Sequence, residues 1–360
     1  MGLNEKFFKT AAADDTPNFN TVIYSGNNSN SANGNVINNV GFEPDMVFIK
    51  NRTQTETGVI VDTLRDDFGS IIYPSLNNPE PSFDNYFTRT SVGFNTNTNN
   101  LNASGTNNYV AWCWRAPTSQ TNNSGTNGAT ITSTIKKNVA AGFSIVSYTG
   151  NSTAGAKIAH GLDYTPELFF IKNLTATSGN REWIAWCAQE NAKLGYLNHP
   201  DTFESSRYSW ALNSTQPNDT LITLGSDPAV NTSHDYIAYC FHSILGYSKI
   251  GAYQGNGGNQ TINVGFTPQF VMIKNITQTS AYASWIIFDS ERLVAYNDTN
   301  PIYANLSVAE GTRGNGTGNG DVLEIIFVTN TGFKLGDASR TNGSDELNAN
   351  NEKFIYLAIA

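Results

Sequence analysis

The stretch GFTPQFVMIKNIT, residues 265–277, decides the fold, because the chain writes it three times: GFEPDMVFIKNRT fills 41–53 and GLDYTPELFFIKNLT fills 161–175. In each copy a glycine permits a tight turn with a positive backbone angle. A proline, which fixes φ and lacks an amide hydrogen, belongs just before a strand rather than inside it. Four apolar residues follow: Met46 to Ile49, Leu168 to Ile171 and Phe270 to Ile273. Successive strand side chains point to opposite faces, so a run that is apolar at every position needs cover on both. A sheet with one wet face would alternate instead. A second layer, a long loop, a sister module or another subunit must lie over the outer face. Lys50, Lys172 and Lys274 then end the strands with a charge. They read as gatekeepers against edge-to-edge pairing, with an ion pair between modules or subunits as the alternative.

Three further landmarks recur in the same order. A strand ending in Tyr-x-Gly-Asn appears as TVIYSGN (21–27), SIVSYTGN (144–151) and KIGAYQGN (249–256). A short apolar strand follows the quoted stretch as GVIVD (58–62), WIAWC (183–187) and WIIFD (285–289). Each unit closes with YVAWCWRA (109–116), YIAYCFHS (236–243) or FIYLAIA (354–360). Agreement in order, spacing and type predicts internal repetition. The landmarks are runs of 4–8 residues rich in Val, Ile, Tyr, Phe and Trp, bounded by Gly/Asn/Ser clusters, which is how short strands and turns are written. Sustained helical periodicity is hard to find, and only segments such as EWIAWCAQENAKLGYL suit a helical turn or two. The expected fold is all-β: three tandem antiparallel β-sandwich, jelly-roll-like modules of similar sequence. The boundaries read as an N-terminal arm at 1–18, modules at 19–116, 142–244 and 245–360, and a linker at 117–141.

Composition bounds the function. The 360 residues are 39% hydrophobic and 12% aromatic, which argues against a disordered chain, and only 14% charged, so Asn, Thr, Ser and Gly supply the surface polarity. A net charge of −9 without a basic cluster argues against nucleic-acid binding. The N-terminus carries no apolar run of signal-peptide length, and no stretch reaches the length of a membrane span, so a protein made in a cytoplasm without membrane insertion is expected. Cys113, Cys187 and Cys240 sit in apolar contexts without CxxC spacing and read as buried, reduced thiols. If Cys113 and Cys240 hold the same internal position in different modules, a bridge between them is implausible.

Signals for chemistry are sparse. The four histidines, His160, His199, His234 and His242, have no zinc-like spacing, and no nucleophile elbow, P-loop or dinucleotide fingerprint occurs. The run GNGTGNGD (314–321) resembles a calcium-binding glycine repeat but occurs once and reads as a mobile loop. No metal, cofactor or catalytic set is therefore assigned. Asp62 with Arg65, and Asp289 with Arg292, form an Asp-x-x-Arg pattern that reads as an ion pair fixing a turn; the second copy has Cys187 and Glu190 instead. Trp183, Tyr208, Trp210 and Tyr282, aromatic residues near polar loops, are the candidates for contact with a glycan or receptor. Phe7 and Phe8 are candidate apolar plugs of an anchoring arm, a disordered start being the alternative.

From about residue 6 to the C-terminus, the series Y-x-G-N, G-(F/L)…P-x-(apolar)4-K-N, D-x-x-R and Y-(V/I)-A-(W/Y)-C-(W/F) resembles the repeated domain of virion proteins in tailed bacteriophages, especially marine ones. Segments 130–151 and 236–257 resemble that family's connections between units. The resemblance implies a non-enzymatic virion structural protein, tail-fibre-like and surface-exposed, that takes part in host attachment. Its alternatives are a capsid decoration or knob protein and, further off, a glycan-degrading tail enzyme. Its implied partners are other virion proteins and a host cell-surface glycan or protein. Cover for the doubly apolar strands suggests a homo-oligomer, with a trimer expected; a pseudo-threefold monomer is the alternative.

Overall fold

The computed structural model describes residues 17–29, 34–81, 87–97, 101–103, 105–179, 181–190, 192–279, 283–292, 300–312, 325–335 and 344–360. The thrice-written stretch turns where expected, with φ of 88°, 75° and 89° at Gly41, Gly161 and Gly265. The residue after each proline joins the ladder: the amides of Asp45, Glu167 and Gln269 donate to the carbonyls of Trp114, Phe241 and Ile359 at 2.7–2.8 Å.

In chain order the strands are β1 (Phe19–Ser25), β2 (Asn35–Ile37), β3 (Met46–Asn51), β4 (Val59–Asp62), β5 (Phe87–Thr90), β6 (Gly93–Thr96) and β7 (Asn108–Trp114). Next come β8 (Thr118–Asn122), β9 (Ser133–Asn138), β10 (Phe143–Thr149), β11 (Ala156–Ala159), β12 (Leu168–Asn173), β13 (Ile184–Cys187), β14 (Gly195–Tyr196), β15 (Leu221–Leu224) and β16 (Asp235–Phe241). The last group is β17 (Ser248–Gln254), β18 (Gln260–Asn263), β19 (Phe270–Asn275), β20 (Ile286–Asp289), β21 (Ile302–Tyr303), β22 (Ile325–Val328), β23 (Gly332–Leu335) and β24 (Lys353–Ile359). Two short helices, α1 (Tyr208–Leu212) and α2 (Ser344–Leu347), interrupt them.

These strands make an all-β, antiparallel structure built as sandwiches. Three main sheets run β1-β7-β3-β4, β10-β16-β12-β13-β14 and β17-β24-β19-β20-β21. Smaller sheets, β2-β6-β5, β11-β15 and β18-β23-β22, form second layers. In each unit the first strand pairs with the last and the second with a late one, a nested, jelly-roll-like order. Segment 117–141, expected as a linker, is not structureless: β8 and β9 extend the second main sheet beyond β10. Among the described residues of the segment expected to form helical turns, Ala188–Glu190 alone coils, as a single 3-10 turn between strands.

The doubly apolar strands are covered twice from within the chain. On one face Val47 and Ile49, Phe169 and Ile171, and Val271 and Ile273 enter three separate cores. On the other, Met46 and Phe48, Leu168 and Phe170, and Phe270 and Met272 join one shared core. There the sheets touch pairwise: Phe19 meets Phe270 at 5.4 Å, Trp114 meets Phe143 at 6.2 Å, and Phe170 meets Trp285 at 5.4 Å between ring centroids. The three sheets thus close into a ring around a common apolar axis. Cys113 and Cys240 lie in different outer cores and Cys187 in the central one, all three as free thiols.

The Tyr-x-Gly-Asn landmark ties each first strand to the loop before the last. The hydroxyls of Tyr24, Tyr148 and Tyr253 donate to the carbonyls of Leu101, Val230 and Leu347 at 3.0, 2.7 and 2.6 Å. The amides of Asn27, Asn151 and Asn256 donate to the side chains of Asn102, Asn231 and Asn348 at 2.8–2.9 Å. Between them the glycine has no substitute, since a Cβ at Gly26, Gly150 or Gly255 would fall 1.7–2.2 Å from a backbone oxygen of the same loop.

Burying one large apolar side chain contributes about 1.5–3 kcal/mol. Phe19, Met46, Phe48, Trp112 and Trp114 of the first sheet therefore commit roughly 10 kcal/mol to the shared core, which compares with the whole stability of an ordinary domain. A chain ending at Phe241, without the third sheet, should show no cooperative urea transition and should bind a hydrophobic dye. A sharp transition with an intact near-ultraviolet spectrum would mean that the units are stable alone.

Candidate functional site

A dry axis leaves buried polar groups only protein partners, and the junctions between sheets supply them. The Asp-x-x-Arg pairs fix their turns as expected, Arg65 Nε to Asp62 Oδ2 at 2.7 Å and Arg292 Nε to Asp289 Oδ2 at 2.6 Å, all fully buried. Each aspartate also takes a bond from the next sheet. Tyr239 donates its hydroxyl to Asp62 Oδ2 at 2.5 Å, and Trp112 donates Nε1 to Asp289 Oδ2 at 2.9 Å. Burial, then the Asp62 charge, push the Tyr239 hydroxyl well above its ordinary pKa, so it stays a donor. By ladder register Leu357 stands where Trp112 and Tyr239 stand, opposite Met272 as they are opposite Phe48 and Phe170. The second unit, which has Cys187 instead of aspartate, is thus served by a leucine that has nothing to donate. Its Glu190 pairs with Lys353 of the third unit at 2.5 Å.

The strand-ending lysines are corrected. Lys50, Lys172 and Lys274 are wholly buried on central strands, each paired on both sides, so they guard no edge. They share the parity of Phe48, Phe170 and Met272 and therefore point toward the junctions. Among the described residues carbonyls, and no carboxylate, bond them. Lys50 Nζ donates to Glu56 O and to Leu306 O of the third unit, and Lys172 Nζ to Asn173 O, Arg181 O and Asn77 O of the first unit. Lys274 Nζ donates to Ala283 O at 2.5 Å. The following asparagines cap their own turns, Asn51, Asn173 and Asn275 each accepting two backbone amides through Oδ1.

Of the aromatic candidates, Trp183 is no surface platform. It is fully buried and donates Nε1 to Tyr73 O of the first unit at 3.0 Å, as Trp285 does to Tyr196 O of the second at 2.7 Å. Tyr208, the first residue of α1, is buried as well. Tyr282, Phe7, Phe8 and the 314–321 run lie outside the described residues. Trp210 alone meets the expectation of exposure, at 67%. It lines an open cleft of about 440 Å³ with Ser206, Arg207, Asp227 and Pro228. Arg207 sits 5.4 Å over the Tyr196 ring and 3.4 Å from Asp227 Oδ2. Asp227 Oδ1 accepts the Ala229 amide at 2.9 Å. Arg207 and Asp227 carried no motif in the sequence, because 20 residues separate them and only the fold joins them.

The architecture defines a class, an all-β protein of nested sandwiches around one core. Residues 14–360 match a domain of unknown function, DUF7483, and the chain belongs to that family. No curated protein matches it.

Two outcomes test the junctions. Asp62→Ala leaves Arg65 buried beside a lost partner and should cost about 3–5 kcal/mol in urea denaturation, whereas Cys187→Ala should cost far less. In a cycle with Tyr239→Phe the two losses should be non-additive, and strict additivity would deny the bond between units. The lysines make stability depend on pH. Burial pushes all three down to about 7, aided by Arg181 at Lys172, against about 10.4 for lysine in an unfolded chain. The unfolded chain then binds more protons above pH 7, so the destabilisation is complete below that value and is relieved as pH rises. The urea midpoint should climb between pH 7 and roughly 8.5, where unfolded thiols begin to oppose it, by at most about 1.4 kcal/mol per lysine per unit. Lys274→Met should flatten that rise; an unchanged slope would show that Lys274 keeps its charge state.

Proposed function

We propose that this chain is a non-enzymatic structural protein of a tailed-phage virion, one module written three times and closed into a pseudo-threefold body that is exposed on a tail or appendage and contacts the host. The observation that carries the reading is the ring itself. Three sheets joined through a single core make a rigid, compact attachment body rather than a shaft, and leave their polar loops facing outward. The series of motifs that resembles phage virion modules supports the setting.

The case for a trimer rested on apolar strands in need of cover. Those strands are covered within the chain, so the reading takes the body as monomeric, with symmetry built into one polypeptide. That same symmetry favours the second reading, a decoration protein seated over a local threefold of the capsid. Glycan hydrolysis gains less support: the Trp210 cleft is lined by one carboxylate, Asp227, and hydrolysis ordinarily takes a pair.

Antibodies to the chain, applied with gold to intact particles of the phage that encodes it, should label tail tips or projecting appendages. Label spread over the shell would replace attachment with decoration, and unlabelled particles would end the virion reading.

A further inference from the structure

Five of the six tryptophans are 5% exposed or less, and each is used in packing; Trp210 is 67% exposed. An indole left in water forgoes the burial that makes aromatic side chains stabilising, so its position calls for a ligand or a partner. Its backbone is held firmly. Trp210 O accepts the Asp227 amide at 3.0 Å, and Ala211 O accepts the Gly225 amide at 2.8 Å. A Cβ at Gly225 would fall 1.8 Å from Trp210 O, so the loop and α1 are in direct backbone contact. Tyr208, Ala211 and Leu212 anchor α1 in the outer core of the second unit, while Trp210 faces out. The ring is therefore presented on fixed backbone at the rim of a cleft whose volume falls in the range of small-molecule sites.

From this geometry we infer that the cleft binds a neutral pyranose. A pyranose offers one face of C–H bonds, which suits the indole, and a rim of hydroxyls, which needs donors and acceptors beside it. Asp227 supplies a carboxylate with a side chain only 5% exposed, and Arg207 a guanidinium that is 37% exposed. Ser206 adds a hydroxyl able to do either. The two charges lie 3.4 Å apart and compensate one another. The cleft thus has no net charge to attract a cation or an anion, and the −9 of the chain further disfavours anions. The other two units have no counterpart among the described residues, since α1 lies in the second alone. The inference takes the source of the sugar, a host-surface glycan, from the attachment reading; the chemistry of the cleft stands apart from it.

The test uses the full chain and the methyl α- and β-pyranosides of glucose, galactose and mannose, with choline and N-acetylneuraminic acid as charged comparators. Because Trp210 is the exposed indole, acrylamide quenching of tryptophan emission reports on it, and ligand-observed saturation-transfer NMR gives a second readout. At least one neutral pyranoside should protect the emission and show saturation transfer. Trp210→Ala should weaken binding about tenfold or more, Trp210→Phe and Asp227→Asn less, with thermal midpoints of the Trp210 variants unchanged. Protection by choline or the acidic sugar alone, no protection at tens of millimolar pyranoside, or binding that survives Trp210→Ala would each overturn the inference. Gold label at tail tips without sugar binding would sink this site and leave attachment standing; sugar binding by a protein absent from particles would do the reverse.

Discussion

Three sheets share one apolar core, and nearly every other feature answers to that constraint. A strand that faces its own second layer on one side and two sister sheets on the other has no wet face, hence the unbroken apolar runs of β3, β12 and β19. A polar group that enters such a core must find a partner there, because no water competes and an unmet donor or acceptor costs free energy. The buried lysines, the indoles of Trp112, Trp183 and Trp285 and the Asp–Arg turns therefore end on carbonyls or carboxylates, several of them on the neighbouring sheet; the Trp114 indole nitrogen, buried in the same core, is without a hydrogen-bond partner among the described residues. The ring is held by dispersion and burial, and its register is set by these directed bonds.

The junctions are alike without being identical, and the differences are coherent. Where the second unit lacks the aspartate, the opposing position is Leu357 rather than Trp112 or Tyr239, so acceptor and donor are missing together and neither is stranded. The first unit has Gly58 where the others have the indoles of Trp183 and Trp285, and its junction bond comes from Lys50 to Leu306 O, as Lys172 also reaches Asn77 O. Removing both partners of a buried bond is nearly neutral, whereas removing one is not. That asymmetry explains why the aspartate and its donor are missing together at Cys187 and Leu357.

Binding belongs where the units differ. The core contacts recur from unit to unit, but α1, its exposed Trp210 and the β8–β9 extension occur in the second alone among the described residues. A body made symmetric in its core can vary the loops that lie away from its junctions at little cost in stability, because the bonds between units end on other segments, at Tyr73, Asn77 and Leu306. The cleft fits this division: its backbone is fixed by the outer core, and Trp210 is presented at its rim.

By itself the sequence determined the all-β class, the landmarks and their order, the turn at each glycine that precedes the strand-opening proline, the Asp–Arg turns and the separate burial of Cys113 and Cys240. All of these follow from local backbone chemistry and a period of two. It did not disclose that Lys50, Lys172 and Lys274 are internal, because a lysine at the end of an apolar run looks the same whether the strand lies at an edge or between two others. It misplaced Trp183 for the same reason, since an indole beside polar loops packs or stays exposed according to what faces it. It named Trp210 but not Arg207 or Asp227, which are far apart in the chain and meet only when α1 docks against the loop at Gly225. Which faces meet, and so which polar groups must be satisfied across a junction, is decided by long-range packing alone.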